Sequence, residues 1–565
     1  MPTRLSHLSY TFGLLCCATL AACAAEQPPG PVGFGFTVGA LGDANPLTDI
    51  KNFRLVVTGG ETQFEAPLAY NGQKTISFPN VPAGSPRQVT LVGFNAAKQA
   101  AWFARQSGVT IQKVATTTTA LTLMAVDDFT PVGNKDFPIP AAMYPAATKI
   151  QDGKILITGG FGHAVAENKD VTLESPSDQA YIFDPNNGTF KTTGSMKSAR
   201  AGHSMIYLPK TNKVLVFGGA IKMHVAADGS AAPRWLVTEA VNTRYEIYDV
   251  AAGTFSSDDA SQAFALPRVL ANLLLLSDDS VVVAGGAVWP TPDEQAYRYC
   301  DLFSASSLTF KDTLKSLPTT GVRAGSATAY MGQTADGTSK YLLWGGNLPL
   351  GSDTTAGPAA ERFTESTQLG GGVFYSDYKT NGDFYKVPGV LVFPTLTAIG
   401  PNKANNPRFL SVGGARYDIA KKAWIKPSAD DVWLITVTDP SPEDAKGAID
   451  TQRITGLGSG VFLHQANLLG GTRVVVSGGL SDFKTADAVI AAFKIEADPS
   501  ADPPLVLEEQ KNAANFAKRG THSATTMGND CVMLFGGGAD FANALATQGG
   551  VATSEVYCPG FLVPK

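Results

Sequence analysis

Arginine and histidine side chains recur at matching positions ahead of short β-type segments of this chain. Four arginines each stand three residues before the residue that opens such a segment: Arg200, Arg268, Arg323 and Arg519. Three histidines stand 14 or 15 residues before a Gly-Gly doublet: His203, His464 and His522. Guanidinium groups bind carboxylates and phosphates through paired hydrogen bonds, and imidazoles bind metals. The pattern therefore allows anion binding, metal binding or a structural role that each repeat needs.

The Gly-Gly doublets place these side chains within a repeat. Each doublet ends a short run of β-type residues, and successive doublets are 59, 67, 60, 68, 65 and 58 residues apart. The seven doublets are Gly159-Gly160, Gly218-Gly219, Gly285-Gly286, Gly345-Gly346, Gly413-Gly414, Gly478-Gly479 and Gly536-Gly537. Self-similarity at such a period predicts a repeat architecture rather than a single irregular enzyme domain.

Each repeat consists of four β-type segments. In the second repeat they begin at His203, Val214, Tyr245 and Gly253, and in the fourth repeat we assign the third segment to 373–375. This order of segments resembles the kelch repeat, which has a strand, a strand ending in Gly-Gly, a strand with Tyr and Asp-Pro, and a strand after an aromatic residue. The resemblance implies an all-β fold, a seven-bladed kelch-type β-propeller. It also implies that the three histidines are structural, so that neither a metal nor another cofactor is expected.

The last repeat lacks residues for its fourth strand. Only five residues follow Cys558-Pro559-Gly560. The segment 129–133, ahead of the first doublet, has the same spacing from aromatic residue to glycine as 190–194. We therefore predict that the segment beginning at Phe129 completes the last blade and removes an exposed sheet edge.

One face of the expected propeller carries the candidate ligand-binding residues. Because neighbouring strands alternate in direction, the entries to the first strands and the connections from second to third strands share a face. These connections are long, at 161–179, 220–242 and 347–369. The candidate residues are Arg200, Arg268, Arg323 and Arg519 with Trp235 and Trp289. They could bind an anionic group of a protein or glycan; alternatively, each arginine ties adjacent blades together through carbonyls or carboxylates.

A smaller unit precedes the repeats. Residues 32–126 contain β-type segments with period-two alternation, separated by turns. The pattern predicts a small antiparallel β-sandwich that resembles transthyretin-like or immunoglobulin-like modules. We expect this unit to lift the repeat domain, 127–565, away from a membrane.

The N-terminus has the pattern of an export signal. An apolar stretch follows Arg4 and ends at Leu20-Ala21-Ala22-Cys23, which resembles the bacterial lipobox. The resemblance implies a lipoprotein signal peptide over 1–22, lipid such as palmitate on Cys23, and a tether over 23–31. Because Ala24 follows the cysteine, the expected location is the cell envelope, at the outer membrane. An ordinary secretory signal remains the alternative.

Three cysteines remain beyond Cys23. Cys531 and Cys558 lie in β-type segments that would pair as neighbouring antiparallel strands. Such pairing brings two cysteines within bridging distance, and an exported compartment permits the bond. We predict a disulfide between Cys531 and Cys558; two buried thiols are the alternative. Cys300 is expected to be a small core residue.

Composition and motifs narrow the function. A formal net charge of −5 gives no basis for nucleic-acid binding. A propeller behind a β-sandwich resembles galactose oxidase, but the chain lacks the adjacent Tyr-His pair of that copper site, and it contains no Gly-x-Ser-x-Gly elbow, His-Glu-x-x-His or Walker motif. We expect a non-catalytic binding or scaffold module for a protein or glycan. The alternative is an exported carbohydrate-active or galactose oxidase-like oxidoreductase with a site in the propeller channel, and whether the chain is an enzyme stays open.

Overall fold

The fold is all-β, and the helices among the described residues are four short 3-10 turns at Pro46–Thr48, Gln151–Gly153, Asp383–Lys386 and Gly560–Leu562. The computed structural model describes residues 34–40, 46–61, 63–73, 75–113, 116–132, 142–167, 170–226, 235–240, 245–257, 268–286, 299–311, 314–318, 322–323, 325–348, 359–366, 371–375, 379–386, 389–418, 420–421, 423–440, 447–454, 456–481, 490–496, 504–510, 517–538 and 554–564. The expected signal peptide, Cys23 and the tether lie outside these residues, as does Trp289.

The first part of the chain forms one seven-stranded sheet, the N-terminal sheet. In spatial order its strands are Phe64–Ala69, Asn52–Thr58, Gly84–Phe94, Ala100–Ile111, Thr117–Ala125, Phe34–Ala40 and Thr75–Phe78. Phe36 lies four strands away from Phe53, yet the two ring centroids are 6.3 Å apart. The sheet therefore curls nearly closed around its own apolar core.

The antiparallel sandwich expected here is not confirmed: the strands form one curled sheet, and one strand pair is parallel. Phe34–Ala40 runs parallel to Thr117–Ala125 and antiparallel to Thr75–Phe78. A parallel pair joins segments that are distant in the sequence. The alternation of apolar residues predicted the strands but carried no information about this pairing.

Seven further sheets share one strand order. In each, the first strand pairs with the second, the second with the third and the third with a fourth. The second strands are buried along their whole length in four of the seven sheets, for example Ile155–Thr158 and Val281–Ala284. Strands covered on both faces read as continuous apolar runs, which explains the β-type residues ahead of every Gly-Gly doublet.

The strands of these sheets, numbered 1 to 7 along the chain, follow in the order first to fourth. Sheets 1 to 3 consist of Ala146–Lys149, Ile155–Thr158, Ala180–Asp184 and Thr189–Thr192; Ser204–Leu208, Lys213–Phe217, Tyr245–Asp249 and Thr254–Ser257; and Asn272–Leu275, Val281–Ala284, Tyr299–Ser304 and Thr309–Phe310, with Leu314–Pro318 added. Sheets 4 and 5 consist of Ala327–Gln333, Ser339–Trp344, Ala360–Ser366 and Gly371–Tyr375; and Thr395–Ala398, Arg408–Val412, Val432–Thr438 and Ala448–Arg453, with Lys379–Gly382 added. Sheets 6 and 7 consist of Gln465–Leu469, Arg473–Ser477, Ile490–Ile495 and Leu505–Gln510; and Ser523–Thr526, Val532–Phe535, Ser554–Tyr557 and Phe129–Val132.

In the fourth repeat, the expected third segment at 373–375 is the fourth strand. The third strand is Ala360–Ser366, and it pairs with both Ser339–Trp344 and Gly371–Tyr375. Its sequence, Ala-Glu-Arg-Phe-Thr-Glu-Ser, carries three charged residues whose side chains bind other parts of the fold. Because charged residues interrupt its apolar pattern, the strand does not stand out as an apolar run in the sequence.

Sheet 7 is completed from the beginning of the repeat region. Phe129–Val132 pairs antiparallel with Ser554–Tyr557, and the rings of Phe129 and Tyr557 stack with centroids 4.9 Å apart. The prediction of a completing strand at Phe129 is confirmed. In the same sheet a disulfide joins Cys531 to Cys558, whose Cα atoms are 4.6 Å apart. The expected free thiol, Cys300, is buried.

The same backbone hydrogen bond links each sheet to the next. The amide of the second glycine in each doublet donates to a carbonyl just ahead of the next first strand, over 2.6–3.1 Å. The pairs are Gly160 to Arg200, Gly219 to Arg268, Gly286 to Arg323, Gly346 to Leu391, Gly414 to Val461, Gly479 to Arg519 and Gly537 to Ala142. The last pair connects sheet 7 back to sheet 1.

A second set of equivalent positions, the ring residues, lies two residues before each first strand. All seven have left-handed backbone conformations, with φ between 53° and 63°. They are Tyr144, Gly202, Leu270, Gly325, Phe393, Leu463 and Thr521. Backbone hydrogen bonds join five neighbouring pairs of them, including Tyr144 to Thr521 at 3.1 Å. The inner edges of sheets 1 and 7 therefore meet directly.

The connections expected to be long loops form strands instead. Phe161–Glu167, Asp170–Pro176, Ala220–Ala226 and Trp235–Ala240 pair in this order as one four-stranded sheet, the cover sheet. Two smaller sheets consist of Val322–Arg323 with Asn347–Leu348, and of Val390–Val392, Ala415–Asp418 and Ala423–Ile425. Phe161, Leu173 and Met223 of the cover sheet pack in one buried cluster with Tyr144 and Leu463. This cluster, the apolar plug, fills the space beside the ring residues on the side where the Gly-Gly doublets lie.

The N-terminal sheet is attached to sheets 1 and 7. Arg105 forms an ion pair with Asp530 at 3.1 Å, and its Nη2 donates to the Leu562 carbonyl at 2.6 Å. Burial lowers the pKa of Arg105, against the effect of Asp530. Thr122 donates to the Asn186 carbonyl in sheet 1 at 2.7 Å. These contacts fix the N-terminal sheet against the repeats.

Candidate functional site

The four candidate arginines are completely buried ion-pair partners. The exposed fraction is 0% for Arg200, Arg323 and Arg519 and 1% for Arg268. Each pairs with a carboxylate in the third strand of its own sheet, over 2.6–3.3 Å: Arg200 with Glu246, Arg268 with Asp301, Arg323 with Glu361 and Arg519 with Glu555. Burial is the largest influence on the last pair, lowering the pKa of Arg519 and raising that of Glu555.

The same guanidiniums also hold the Gly-Gly turns. In each case Nη1 donates to the carbonyl of the first glycine of the doublet, over 2.7–2.9 Å. Each arginine thus clamps the entry of the first strand to the end of the second strand and to the third strand. The expectation that these arginines bind an anionic ligand is corrected: their side chains are buried, and carboxylates of the fold already neutralise them. The alternative interpretation, that they tie the structure together, agrees with this geometry.

The acidic partners of the arginines also recur at one position of the repeat. The acid always lies opposite the residue two places before the first glycine of the doublet, as in the pair Val216 and Glu246. Repeats 1, 5 and 6 have neither an arginine nor an acid at these two positions, where they carry Ala142 with Tyr181, Leu391 with Trp433, and Val461 with Ala491. An arginine and an acid that occur only together indicate an ion pair.

The histidines join neighbouring sheets. His203 Nε2 is 2.7 Å from Thr158 Oγ1, His464 Nε2 is 3.0 Å from Thr395 Oγ1, and His522 Nε2 is 3.4 Å from Ser477 Oγ. Burial lowers the pKa of His203 and His464 to about 3 and that of His522 well below its usual value. All three imidazoles are therefore neutral at physiological pH.

A central cavity lies on the strand side of the ring residues. Its volume is about 430 Å³, and its lining comes from five first strands, from ring residues such as Tyr144 and Phe393, and from all three histidines. None of the described lining residues is Asp, Glu, Lys or Arg. The plug under the cover sheet closes its other side. This described lining is therefore uncharged and contains both apolar and polar surface.

Several polar atoms of this lining have no hydrogen-bond partner among the described residues. They are the Nδ1 atoms of His203, His464 and His522 with Thr521 Oγ1 and Ser523 Oγ. Buried polar atoms without partners cost free energy and are uncommon in folded proteins. A ligand with several hydroxyl groups could satisfy such neutral donors and acceptors.

The remaining candidate residue within the described ranges is Trp235. Trp235 opens the last strand of the cover sheet. Within the described ranges, no three His, Cys, Asp or Glu side chains converge as metal ligands. No helix in the described part of the chain is long and apolar enough to cross a bilayer. No known family model matches the chain, and no curated protein matches it.

Proposed function

We propose that this chain is a kelch-type, seven-bladed β-propeller that acts as a non-catalytic binding module at the bacterial cell envelope. The observation that carries the fold proposal is the repeated hydrogen bond from a doublet glycine to the next repeat. It occurs seven times, and Gly537 N donating to the Ala142 carbonyl at 2.7 Å links the last repeat to the first. Seven like sheets joined in a closed cycle are the arrangement of a propeller. The curled N-terminal sheet, proposed as a sandwich-like spacer, precedes it.

The proposal of a binding role rests on how the reactive side chains are used. The buried arginines neutralise carboxylates of the fold, and the histidines bind hydroxyls of neighbouring sheets. Five buried polar atoms without a hydrogen-bond partner belong instead to residues that line the central cavity. We assign the cavity to a neutral, hydroxyl-rich ligand, and a saccharide of a glycan is the class that fits. This replaces the arginine-lined mouth as the proposed glycan site.

Filling the central cavity should abolish saccharide binding. Ala466 lines the cavity and is partly exposed, so Ala466→Phe should lower the affinity at least about tenfold. Ser523→Ala keeps the volume and removes one unpartnered hydroxyl, so a loss of about two- to tenfold is expected. The measurement is calorimetry with the neutral saccharides that a glycan array selects, using the chain from Ala24 onward.

The control is Ala251→Phe, the same change at an exposed turn of sheet 2, which should leave the affinity unchanged. Circular dichroism establishes that each variant is folded. If the array selects no neutral saccharide, or if all three variants bind it equally well, the cavity has no such role.

Anchoring is proposed from the lipobox-like sequence at Cys23. In bacteria fed labelled palmitate, the full chain should incorporate label and sediment with membranes, whereas Cys23→Ala should do neither. Cys300→Ala, which removes a buried thiol of sheet 3, serves as the control and should keep both label and membrane association. Label retained by Cys23→Ala would refute lipidation at this residue.

A further inference from the structure

A pocket between sheets 4 and 5 contains a buried arginine without a carboxylate partner. Arg408 is 5% exposed and opens the second strand of sheet 5. Its Nε donates to the Gly400 carbonyl at 3.3 Å. Among the described residues, neither terminal nitrogen of its guanidinium has a hydrogen-bond or ion-pair partner, and neither is a fully buried atom. A largely buried charge is normally paired, because its desolvation costs several kcal/mol.

Equivalent positions elsewhere in the repeats show what is missing at Arg408. Lys213 opens the second strand of sheet 2 and forms an ion pair with Asp249, directly opposite, at 2.6 Å. Arg473 opens that of sheet 6 and binds both carboxylate oxygens of Glu508 at 2.9 Å. The residue opposite Arg408 is Thr436. Sheet 5 thus keeps the cation of this position, but no acid among the described residues pairs with it.

The described lining of the pocket contains two cations and one carboxylate. Its volume is about 440 Å³, and Arg408, Lys340 and Asp439 contribute to its lining. Asp439 is shared by two cations, Lys340 at 2.6 Å and Arg362 at 2.9 Å. Of the two cations in this lining, Arg408 is the one without an acidic partner among the described residues. A carboxylate is the planar anion that matches a guanidinium fork.

The rest of the lining suits the body of a sugar. Gln333, Asn405 and Asn406 supply amide groups. Tyr330 is 45% exposed, and its ring lies at the pocket with Tyr341 edge-on at 5.3 Å. Amides hydrogen-bond to hydroxyls, and an exposed aromatic ring offers an apolar surface. We propose that this pocket binds a sugar acid, with its carboxylate on Arg408 and its ring against Tyr330.

The test compares D-glucuronate with D-glucose by calorimetry on the chain from Ala24 onward. The two sugars differ in carrying a carboxylate or a hydroxymethyl group, so glucuronate should bind and glucose should not. Arg408→Met should weaken glucuronate binding by about tenfold to a hundredfold. It should not lower the unfolding temperature, since it removes an uncompensated charge. If Arg408 were purely structural, Arg408→Met would leave glucuronate binding unchanged and would lower the unfolding temperature.

Arg473→Met is the matched control, because it removes a cation from the equivalent position of sheet 6, outside the pocket. Its affinity for glucuronate should equal that of the unchanged protein. Sulfate and phosphate form separate arms. If only these ions bind, or if glucuronate and glucose bind alike, the assignment to a sugar acid is overturned. The site uses neither the lipid anchor nor the central cavity, so its failure leaves the proposed function intact.

Discussion

Replacing Arg200 by methionine should lower the free energy of unfolding by about 3–5 kcal/mol, the cost of removing one partner of a buried ion pair. Both side chains of the Arg200–Glu246 pair are 0% exposed, and the distance between them is 2.7 Å. Glu246 would keep its bonds from the Lys197 and Ser198 amides, yet its charge would lose the buried counter-charge. Urea denaturation of the chain from Ala24 onward measures the change.

Two companion variants separate charge burial from other effects. Adding Glu246→Gln to Arg200→Met should recover part of the loss, because the double variant no longer buries an uncompensated carboxylate. Lys213→Met removes an ion pair of the same sheet whose side chains are 23% and 37% exposed, and it should cost less than about 1 kcal/mol. Similar losses of unfolding free energy for Arg200→Met and Lys213→Met would contradict the role of Arg200 as a buried clamp between strands.

Gly478→Ala should destabilise the protein far more than Gly471→Ala does. Both glycines have left-handed backbones, with φ of 61° and 65°, so each alanine meets the same backbone penalty of about 1–2 kcal/mol. A Cβ at Gly471 would have no atom within 4 Å, whereas one at Gly478 would lie 2.4 Å from the Arg519 carbonyl oxygen and 2.7 Å from His522 Cε1.

The difference between these two variants isolates the contact between sheets 6 and 7. Relieving that overlap requires the neighbouring sheet to move, at a further cost of about 1–3 kcal/mol. Thermal unfolding of the two variants in parallel gives the comparison. Equal unfolding temperatures would mean that the doublet tolerates a side chain and that sheet contact does not require glycine there.

The repeats show which features of the fold the sequence makes readable. The doublets and the apolar second strands predicted the strand pattern, and the spacing at Phe129 predicted the completing strand, because each depends on residues that lie close together in the chain. The third strand of sheet 4 was missed because charged residues such as Glu361 and Arg362 interrupt its apolar pattern. The parallel pairing of Phe34–Ala40 depends on contact between distant segments.

The candidate site was less predictable than the fold. Spacing correctly placed four arginines at one repeat position, but the same residues suit a ligand site and an internal ion pair. Which of these two roles an arginine has depends on the residue that it contacts. That residue is distant in the sequence, since Glu246 lies 46 residues from Arg200. The central cavity and the Arg408 pocket gave no motif at all, since their linings come from several sheets.

The route of the chain into sheet 7 has a mechanical consequence. A pull on the chain ahead of Phe34 is transmitted through the N-terminal sheet to Phe129–Val132, whose backbone bonds attach it to Ser554–Tyr557. The Cys531–Cys558 bridge lies within that sheet, one residue before its second strand and one after its third. Tension would therefore peel the outermost strand away from a covalently crosslinked pair, so that sheet 7 holds together under load while its noncovalent edge yields first.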